Sequence, residues 1–152
     1  MTIGLSVYMH EFPTSGFHLA GAHHLGNSIY ADMQASLGGH VRGDDASIES
    51  ETLGSAQAGV SKLTWTRASA IGVRASLGYQ KREVVYREAL VADEPWTEND
   101  DMLYVEGAVL LRLRIAPSLA WEFLLAARVG MTTVDIGLGG TAVLSTGLHI
   151  TS

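Results

Sequence analysis

The 152-residue chain contains six histidines and no cysteine, so imidazole and carboxylate groups would have to bind any metal ion. If Gly16 closes a three-residue hairpin with a bulge, His10 and His18 face each other on neighbouring strands, and His40 lies somewhat higher on the same wall. His10, His18 and His40 are therefore the candidate metal ligands. Ordinary hydrogen bonding inside the protein is the interpretation we favour for them, and we predict no cofactor.

A lipid-modifying hydrolase or acyltransferase would need a serine, a histidine and an acid at one place. All three residue types occur in the chain, but no spacing between them singles out a triad. We therefore assign no catalytic residue, and a lipid-modifying enzyme is kept as an alternative.

Charged residues interrupt one of the most apolar parts of the chain, "LLRLRIAPSLAWEFLLAARVG" at positions 110–130. If this segment belongs to a hairpin that turns at its centre, one register pairs Arg112 with Glu122 and Glu106 with Arg128. Such pairs are expected where charges face a narrow interior, because a buried charge needs a partner. The alternative is that they are cross-strand pairs on a solvated surface.

The next hairpin extends this set of charges. A register with Val129 opposite Val134 brings Asp135 beside Arg128. The predicted charge network of the interior comprises Glu106, Arg112, Glu122, Arg128 and Asp135, together with Arg74 and Arg114, which lack a directly opposed acid.

Apolar and polar residues alternate with a period of two through most of the sequence, which indicates β-strands. The segment from Leu53 to Thr66 is the least regular, because its apolar residues change parity, and it predicts a bulge near Lys62. Eight strands are expected, in the segments 3–9, 17–25, 28–42, 53–66, 71–79, 103–115, 119–129 and 134–144.

The connections between these strands alternate in length. Those at 25–27, 66–69 and 116–118 are tight, whereas those at 43–52 and 86–101 are long and acidic, and the link at 13–16 is short. Alternation of this kind predicts an up-and-down barrel with tight turns on one rim and longer loops on the other. The acidic loop residues are Asp44, Asp45, Asp93, Glu94, Glu98, Asp100 and Asp101.

The composition of the polar face indicates which side of the barrel is inside. That face is rich in small residues, among them Ser36, Gly38, Ser76 and Gly78, and small residues fill narrow lumens. Seven alternate apolar positions run from residue 103 to residue 115, which is enough to cross the roughly 9 to 11 residues of strand that the hydrocarbon layer requires. Both features favour lipid outside.

The predicted fold class is therefore all-β: an eight-stranded antiparallel up-and-down transmembrane β-barrel, residues 1–152 as one domain, with a polar, charge-paired lumen. Mean hydropathy is +0.17, and no apolar run is long enough for a transmembrane helix, so strands must form any membrane span. Trp65, Trp121 and Phe123 are expected to form an aromatic girdle on the tight-turn side.

The chain resembles the small Gram-negative outer-membrane β-barrels, the group that contains the OmpA transmembrane domain, OmpX and the opacity proteins. The resemblance covers nearly the whole chain and rests on the eight alternating strands, the "APSLAWEF" turn and the Arg/Glu-lined interior. The last strand, "TAVLSTGLHITS", departs from the family pattern, because it ends without an aromatic residue. The resemblance implies the Gram-negative outer membrane, and an exported protein would have lost the signal peptide that this chain does not show.

We predict a monomeric integral outer-membrane protein with a closed lumen and a structural or surface-interaction role. The alternatives are the lipid-modifying enzyme, a narrow porin-like channel for small solutes or ions, and a soluble lipocalin-like carrier. The expected partners are the lipid bilayer, lipopolysaccharide through divalent ions, and a surface protein at the acidic loops. A net charge of −6 with acidic loops makes nucleic acid an unsuitable partner.

Overall fold

Eight antiparallel strands form a closed barrel in the computed structural model, which describes residues 2–9, 13–41, 48–86, 96–132 and 138–150. Each strand pairs with its sequence neighbours, and the first pairs with the last. The strands are β1 (Thr2–Met9), β2 (Pro13–Gly26), β3 (Ile29–Val41), β4 (Ile48–Trp65), β5 (Ser69–Tyr86), β6 (Trp96–Ala116), β7 (Leu119–Thr132) and β8 (Leu138–Ile150). The predicted fold class is confirmed. Among the residues that the structure describes, no helix is long and apolar enough to cross a membrane.

Three tight turns mark one end of the barrel, which we call the tight-turn rim; the opposite end is the loop rim. β2 and β3 are joined by Asn27 and Ser28, whose φ angles are 51° and 62°, and Gly26 before them has a φ of 112°. Positive φ at both central positions matches the twist of a two-residue hairpin, and glycine and asparagine tolerate it well. The other tight turns lie at 66–68 and 117–118, as predicted.

Several strands extend further toward the loop rim than the alternation of apolar residues suggested. β4 begins at Ile48 and β6 begins at Trp96, so part of both predicted acidic loops is strand. β2 already begins at Pro13, and the link predicted at 13–16 is wrong. Backbone pairing needs a neighbouring strand but not an apolar side chain, which is why polar segments continue the sheet.

Apolar side chains cover the outside of the barrel, and charged side chains lie within it. Phe17, Met33 and Leu103 are about 70% exposed (72%, 71% and 69%), whereas Glu106 and Arg128 are 1% exposed. A water-soluble barrel has the opposite arrangement.

The lumen is less uniformly polar than the sequence predicted, because an apolar cluster lies inside it. The buried members are Leu53, Leu63, Ala108, Leu110, Leu124, Ala126 and Val143, and Tyr30 and Trp65 pack against them. Large apolar residues on the inner face help to fill the interior between the charged groups.

β4 contains no bulge near Lys62, so that prediction is wrong. Its pairing with β3 and with β5 runs without a shift from Ser50 to its tight-turn end. The change of parity arises because Leu63 and Trp65 point into the lumen while Lys62 points outward. Trp65 therefore does not belong to an outer girdle; its indole N–H donates to the Tyr30 hydroxyl at 3.3 Å.

Trp121 and Phe123 are on the outer face, each 40% exposed, as predicted for a girdle. The strand pair that carries them is shifted between Arg114 and Ala116, so a bulge lies next to the 117–118 turn.

Candidate functional site

Glu106 on β6 lies in the lumen and is shared by two arginines. Its Oε1 is 2.5 Å from Arg74 Nη2, and its Oε2 is 2.8 Å from Arg128 Nε. The side chains of Glu106 and Arg128 are completely enclosed, and that of Arg74 is 5% exposed. Removing an ion from water costs several kcal/mol, so these charges are tolerated only because they are paired.

Gln57 and Tyr104 complete the surroundings of the shared carboxylate. Gln57 Nε2 donates to Glu106 Oε1 at 3.1 Å, and the Tyr104 hydroxyl donates to Gln57 Oε1 at 2.8 Å. The Arg128 guanidinium also lies over the Tyr104 ring, 4.5 Å from its centroid. Gln57 therefore connects β4 to the charges on β6 and β7 across the interior.

Two further glutamines accept hydrogen bonds from the Nη1 atoms of Arg74 and Arg128. Arg74 Nη1 donates to Gln34 Oε1 at 2.9 Å, and Arg128 Nη1 donates to Gln80 Oε1 at 3.2 Å. The Glu106 network, as we call it, consists of Gln34, Gln57, Arg74, Gln80, Tyr104, Glu106 and Arg128. It links five consecutive strands, β3 to β7.

Strand register brings these side chains together. Glu106 is directly opposite Arg128 on β7 and opposite Ser76 on β5. Arg74 is opposite Ala108, whose small side chain leaves room for the guanidinium to reach diagonally to Glu106. Gly78 is opposite Tyr104, and a Cβ atom at this glycine would collide with the phenol ring.

A second ion pair lies closer to the tight-turn rim. Arg112 Nε donates to Glu122 Oε2 at 2.6 Å, and both side chains are less than 10% exposed (5% and 8%). His149 Nδ1 is 4.0 Å from the same carboxylate oxygen. Glu122 thus pairs with one arginine, in contrast to Glu106, which pairs with two.

Three buried polar atoms on neighbouring strands have no hydrogen-bond partner. They are Asp32 Oδ2, Ser61 Oγ and Arg74 Nε. Ser61 is directly opposite Arg74, and its side chain is on the inner face. Unsatisfied groups of this kind are uncommon in protein interiors.

A third pair lies toward the loop rim. Arg82 Nε donates to Glu51 Oε1 at 2.6 Å, with Arg82 22% and Glu51 1% exposed. Beyond it, the Tyr86 hydroxyl donates to Glu98 Oε2 at 3.1 Å. Ion pairs are thus spaced along the described length of the lumen.

The predicted register of the β6–β7 hairpin is confirmed from Met102 to Arg114, and both predicted ion pairs form. The predicted register of β7 with β8 is wrong: Arg128 is opposite Thr141, and Val129 is opposite Gly140. Glycine-rich sequence around the last hairpin left the register poorly specified. Asp135 lies outside the described residues.

The two arginines that lacked a predicted acid behave differently. Arg74 reaches the shared Glu106. Arg114 does not join the lumen network; it is exposed at the tight-turn rim, where its Nη1 donates to the Arg67 carbonyl at 3.4 Å. Its guanidinium lies 5.7 Å from the centroid of the Trp65 ring.

The hairpin that would have paired His10 with His18 is not present. Gly16 is inside β2, opposite Ser6 and Gly38, and His18 is opposite Gly4 and Ser36. His10 and the side chain of His40 lie outside the described part. Within the described ranges, no group of three His, Cys, Asp or Glu residues could hold a metal ion.

The acidic residues fall into two groups. Glu98, Asp100 and Asp101 belong to β6, where Asp101 is opposite Lys81 and Asp100 is opposite Arg82. The remaining predicted loop residues, Asp44, Asp45, Asp93 and Glu94, lie outside the described residues.

Sequence reasoning missed the uncharged members of the Glu106 network. Gln34, Gln57, Gln80 and Tyr104 each lie on the inward parity of their strands, which is a signal that the sequence contains. Glutamine also occurs on solvated faces, however, so parity alone does not distinguish a lumen ligand from a surface residue. The assembled network holds fixed charges and hydrogen bonds across the interior, an arrangement suited to closing it.

The barrel is similar to several solved structures. Neisserial surface protein A matches with a TM-score of 0.70 at 9% identity, over 98% of this chain and 92% of that one. Ail, the attachment invasion locus protein of Yersinia pestis, matches with a TM-score of 0.59 at 13% identity, over 97% and 94%. The N-terminal β-barrel domain of Pseudomonas aeruginosa OprF matches with a TM-score of 0.56 at 13% identity, over 97% and 96%. The fold is that of the small outer-membrane β-barrels.

No family model and no curated protein sequence matches the chain. At identities near 10%, these outer-membrane barrels share the fold with this chain. The resemblance predicted from the sequence is therefore confirmed for the fold.

Proposed function

We propose that the protein is a monomeric integral protein of the Gram-negative outer membrane, with a closed lumen and a structural or surface-interaction role. The observation that carries this proposal is the inside-out arrangement of the barrel. Outward residues such as Leu77, Val105 and Leu125 are 68%, 58% and 61% exposed, which is favourable only against an apolar solvent. The fold of the outer-membrane neighbours agrees with it.

The Glu106 network and the apolar cluster support a closed lumen. Side chains from β3 to β7 meet in the interior through Glu106 and Gln57, and Arg128 Nη2 also donates to Gln57 Oε1 at 3.4 Å. An eight-stranded barrel has an interior just wide enough for side chains, so a filled lumen leaves no path for solutes. These contacts favour the structural role over the narrow channel.

Surface interaction is proposed for the acidic loop rim. Glu83, Glu98 and Asp100 lie there on β5 and β6. We propose that this rim binds lipopolysaccharide phosphates through divalent ions, because carboxylates and phosphates are both hard oxygen ligands. A basic surface protein is the alternative partner, and its binding would not require divalent ions.

The membrane proposal is tested by refolding the chain into detergent micelles and lipid vesicles. We expect insertion, with a heat-modifiable shift on gels, and no single-channel conductance in planar bilayers. A chain that folds and stays soluble without detergent would contradict the membrane assignment. Steady conductance would contradict the closed lumen.

A further inference from the structure

Basic side chains are concentrated in one sector of the tight-turn rim. Segments 62–72 and 113–121, which include the turn-side ends of β4 to β7, contain Lys62, Arg67 and Arg114 and no acid. All three side chains are exposed. This sector therefore carries positive charge that the neighbouring sequence does not balance.

Arg114 makes two contacts at this rim, neither of them with an acid. It lies next to the shift in pairing between β6 and β7, and its guanidinium bonds to the Arg67 carbonyl and lies near the Trp65 ring. No carboxylate within the described ranges forms an ion pair with it. An exposed arginine without a carboxylate partner is available to an anionic ligand, and guanidinium groups bind phosphate well.

A pocket of about 190 Å³ opens beside this arginine. Its lining includes Trp65, Arg114, Pro117, Leu119 and His149. Trp65 and His149 are inward-facing, so the pocket lies at the tight-turn opening of the lumen and combines a cation, an imidazole and apolar groups. A small anionic group fits this combination better than a neutral or cationic one does.

The outer face of β5 and β6 is apolar at this rim. Ile71, Leu113 and Ile115 are 58%, 42% and 57% exposed there. A ligand that uses both this face and the cations must have an apolar part and an anionic head. A phospholipid has both, whereas a free phosphate ion uses only the cations.

We propose that Arg67 and Arg114 bind the head-group phosphate of a phospholipid whose acyl chains lie against Ile71, Leu113 and Ile115. Lys62 is an exposed, outward position of β4 near this rim and adds a third cation to the sector. The site belongs to the leaflet that meets the tight-turn rim. It rests on the proposed membrane location.

The test measures lipid selectivity of the full chain refolded into phosphatidylcholine vesicles. Trace amounts of spin-labelled phosphatidylglycerol or spin-labelled phosphatidylcholine report how much of each lipid is immobilised at the barrel surface. We expect phosphatidylglycerol to be preferred, and Arg67→Gln with Arg114→Gln to lower its relative association about fivefold or more. Arg114→Lys should retain more of the preference than Arg114→Gln does.

Lys81→Gln is the matched control, because it removes one exposed outward cation that faces Asp101 near the opposite rim. It should leave the preference unchanged. An equal loss with Lys81→Gln would overturn the lipid site in favour of general charge attraction. Loss of the preference in excess inorganic phosphate would overturn it in favour of a site for free anions. If the double variant does not fold, the single Arg67→Gln change should still lower the preference, and an unchanged value would overturn the proposal.

The proposed function and this inference fail in different ways. A chain that does not insert into vesicles contradicts the membrane location. A chain that inserts but shows no preference for phosphatidylglycerol contradicts the head-group site alone.

Discussion

The Glu106 network and the Arg112–Glu122 pair differ in how their charges are balanced. Glu106 pairs with two arginines in a completely enclosed position, whereas Glu122 pairs with one arginine, Arg112, close to the tight-turn rim, with His149 4.0 Å away. Removing the shared acid leaves two cations without their carboxylate. Removing Glu122 leaves one arginine without its carboxylate, at a position near the tight-turn rim. The comparison indicates that stability depends on the number of charges an acid satisfies and on its distance from water.

Glu106→Gln should produce the largest effect. The amide keeps the shape but loses the charge, so Arg74 and Arg128 remain buried without a carboxylate, at a cost of about 3–5 kcal/mol. The measurement is the free energy of unfolding in denaturant for protein refolded into vesicles. Glu83→Gln, at an exposed position of β5, is the control and should change stability by less than about 0.5 kcal/mol. Equal effects of the two variants would mean that the Glu106 network does not stabilise the barrel.

Glu122→Gln should cost less, about 1–3 kcal/mol, because a single arginine loses its partner. Changing Arg112→Met in the same chain should restore much of the loss, since no unpaired charge then remains. The double-mutant cycle, measured by the same unfolding experiment, checks the coupling. If Glu122→Gln were as costly as Glu106→Gln, the number of arginines that an acid pairs with would not determine its contribution to stability.

Gly78→Ala tests whether the geometry around Tyr104 supports the shared site. The added Cβ would press on the phenol ring and weaken its hydrogen bond to Gln57, which we expect to cost about 1–2 kcal/mol. Gly21→Ala is the matched control, because a Cβ at Gly21 meets nothing within 4 Å. A stability for Gly78→Ala that equals that of the control would show that Tyr104 has room to move.

Arg82→Gln should have the smallest effect, about 1 kcal/mol, at the low end of the cost of leaving a buried acceptor without its partner. Its partner Glu51 is buried, but Arg82 is 22% exposed, so water near the loop rim can take over part of its role. Unfolding measurements at low and high salt should show a loss that shrinks as salt rises. A loss of stability comparable to that of Glu106→Gln would mean that the fully enclosed region of the lumen reaches this end.

Much of the architecture could be predicted because the period of two is a local property of the chain. Alternation in β3 and β7 placed these strands nearly at their observed positions, and the register of β6 with β7 followed from keeping apolar positions opposite each other around the predicted 116–118 turn. The same reasoning failed for β8, where glycines at 137, 139 and 140 specify register weakly. It also failed at the link before β2, where polar residues continue a strand.

The sequence by itself determined the number of strands, the inside-out orientation and the ion pairs of one hairpin. Each depends on residues that are close in the chain or on the chemical character of a whole face. Only the tertiary structure decided that Glu106 is shared with Arg74, that Gln57 connects distant strands, and that Arg114 leaves the lumen for the rim. These contacts depend on diagonal reach across a closed barrel and on a local shift in pairing, neither of which is encoded in the spacing of residue types along one strand.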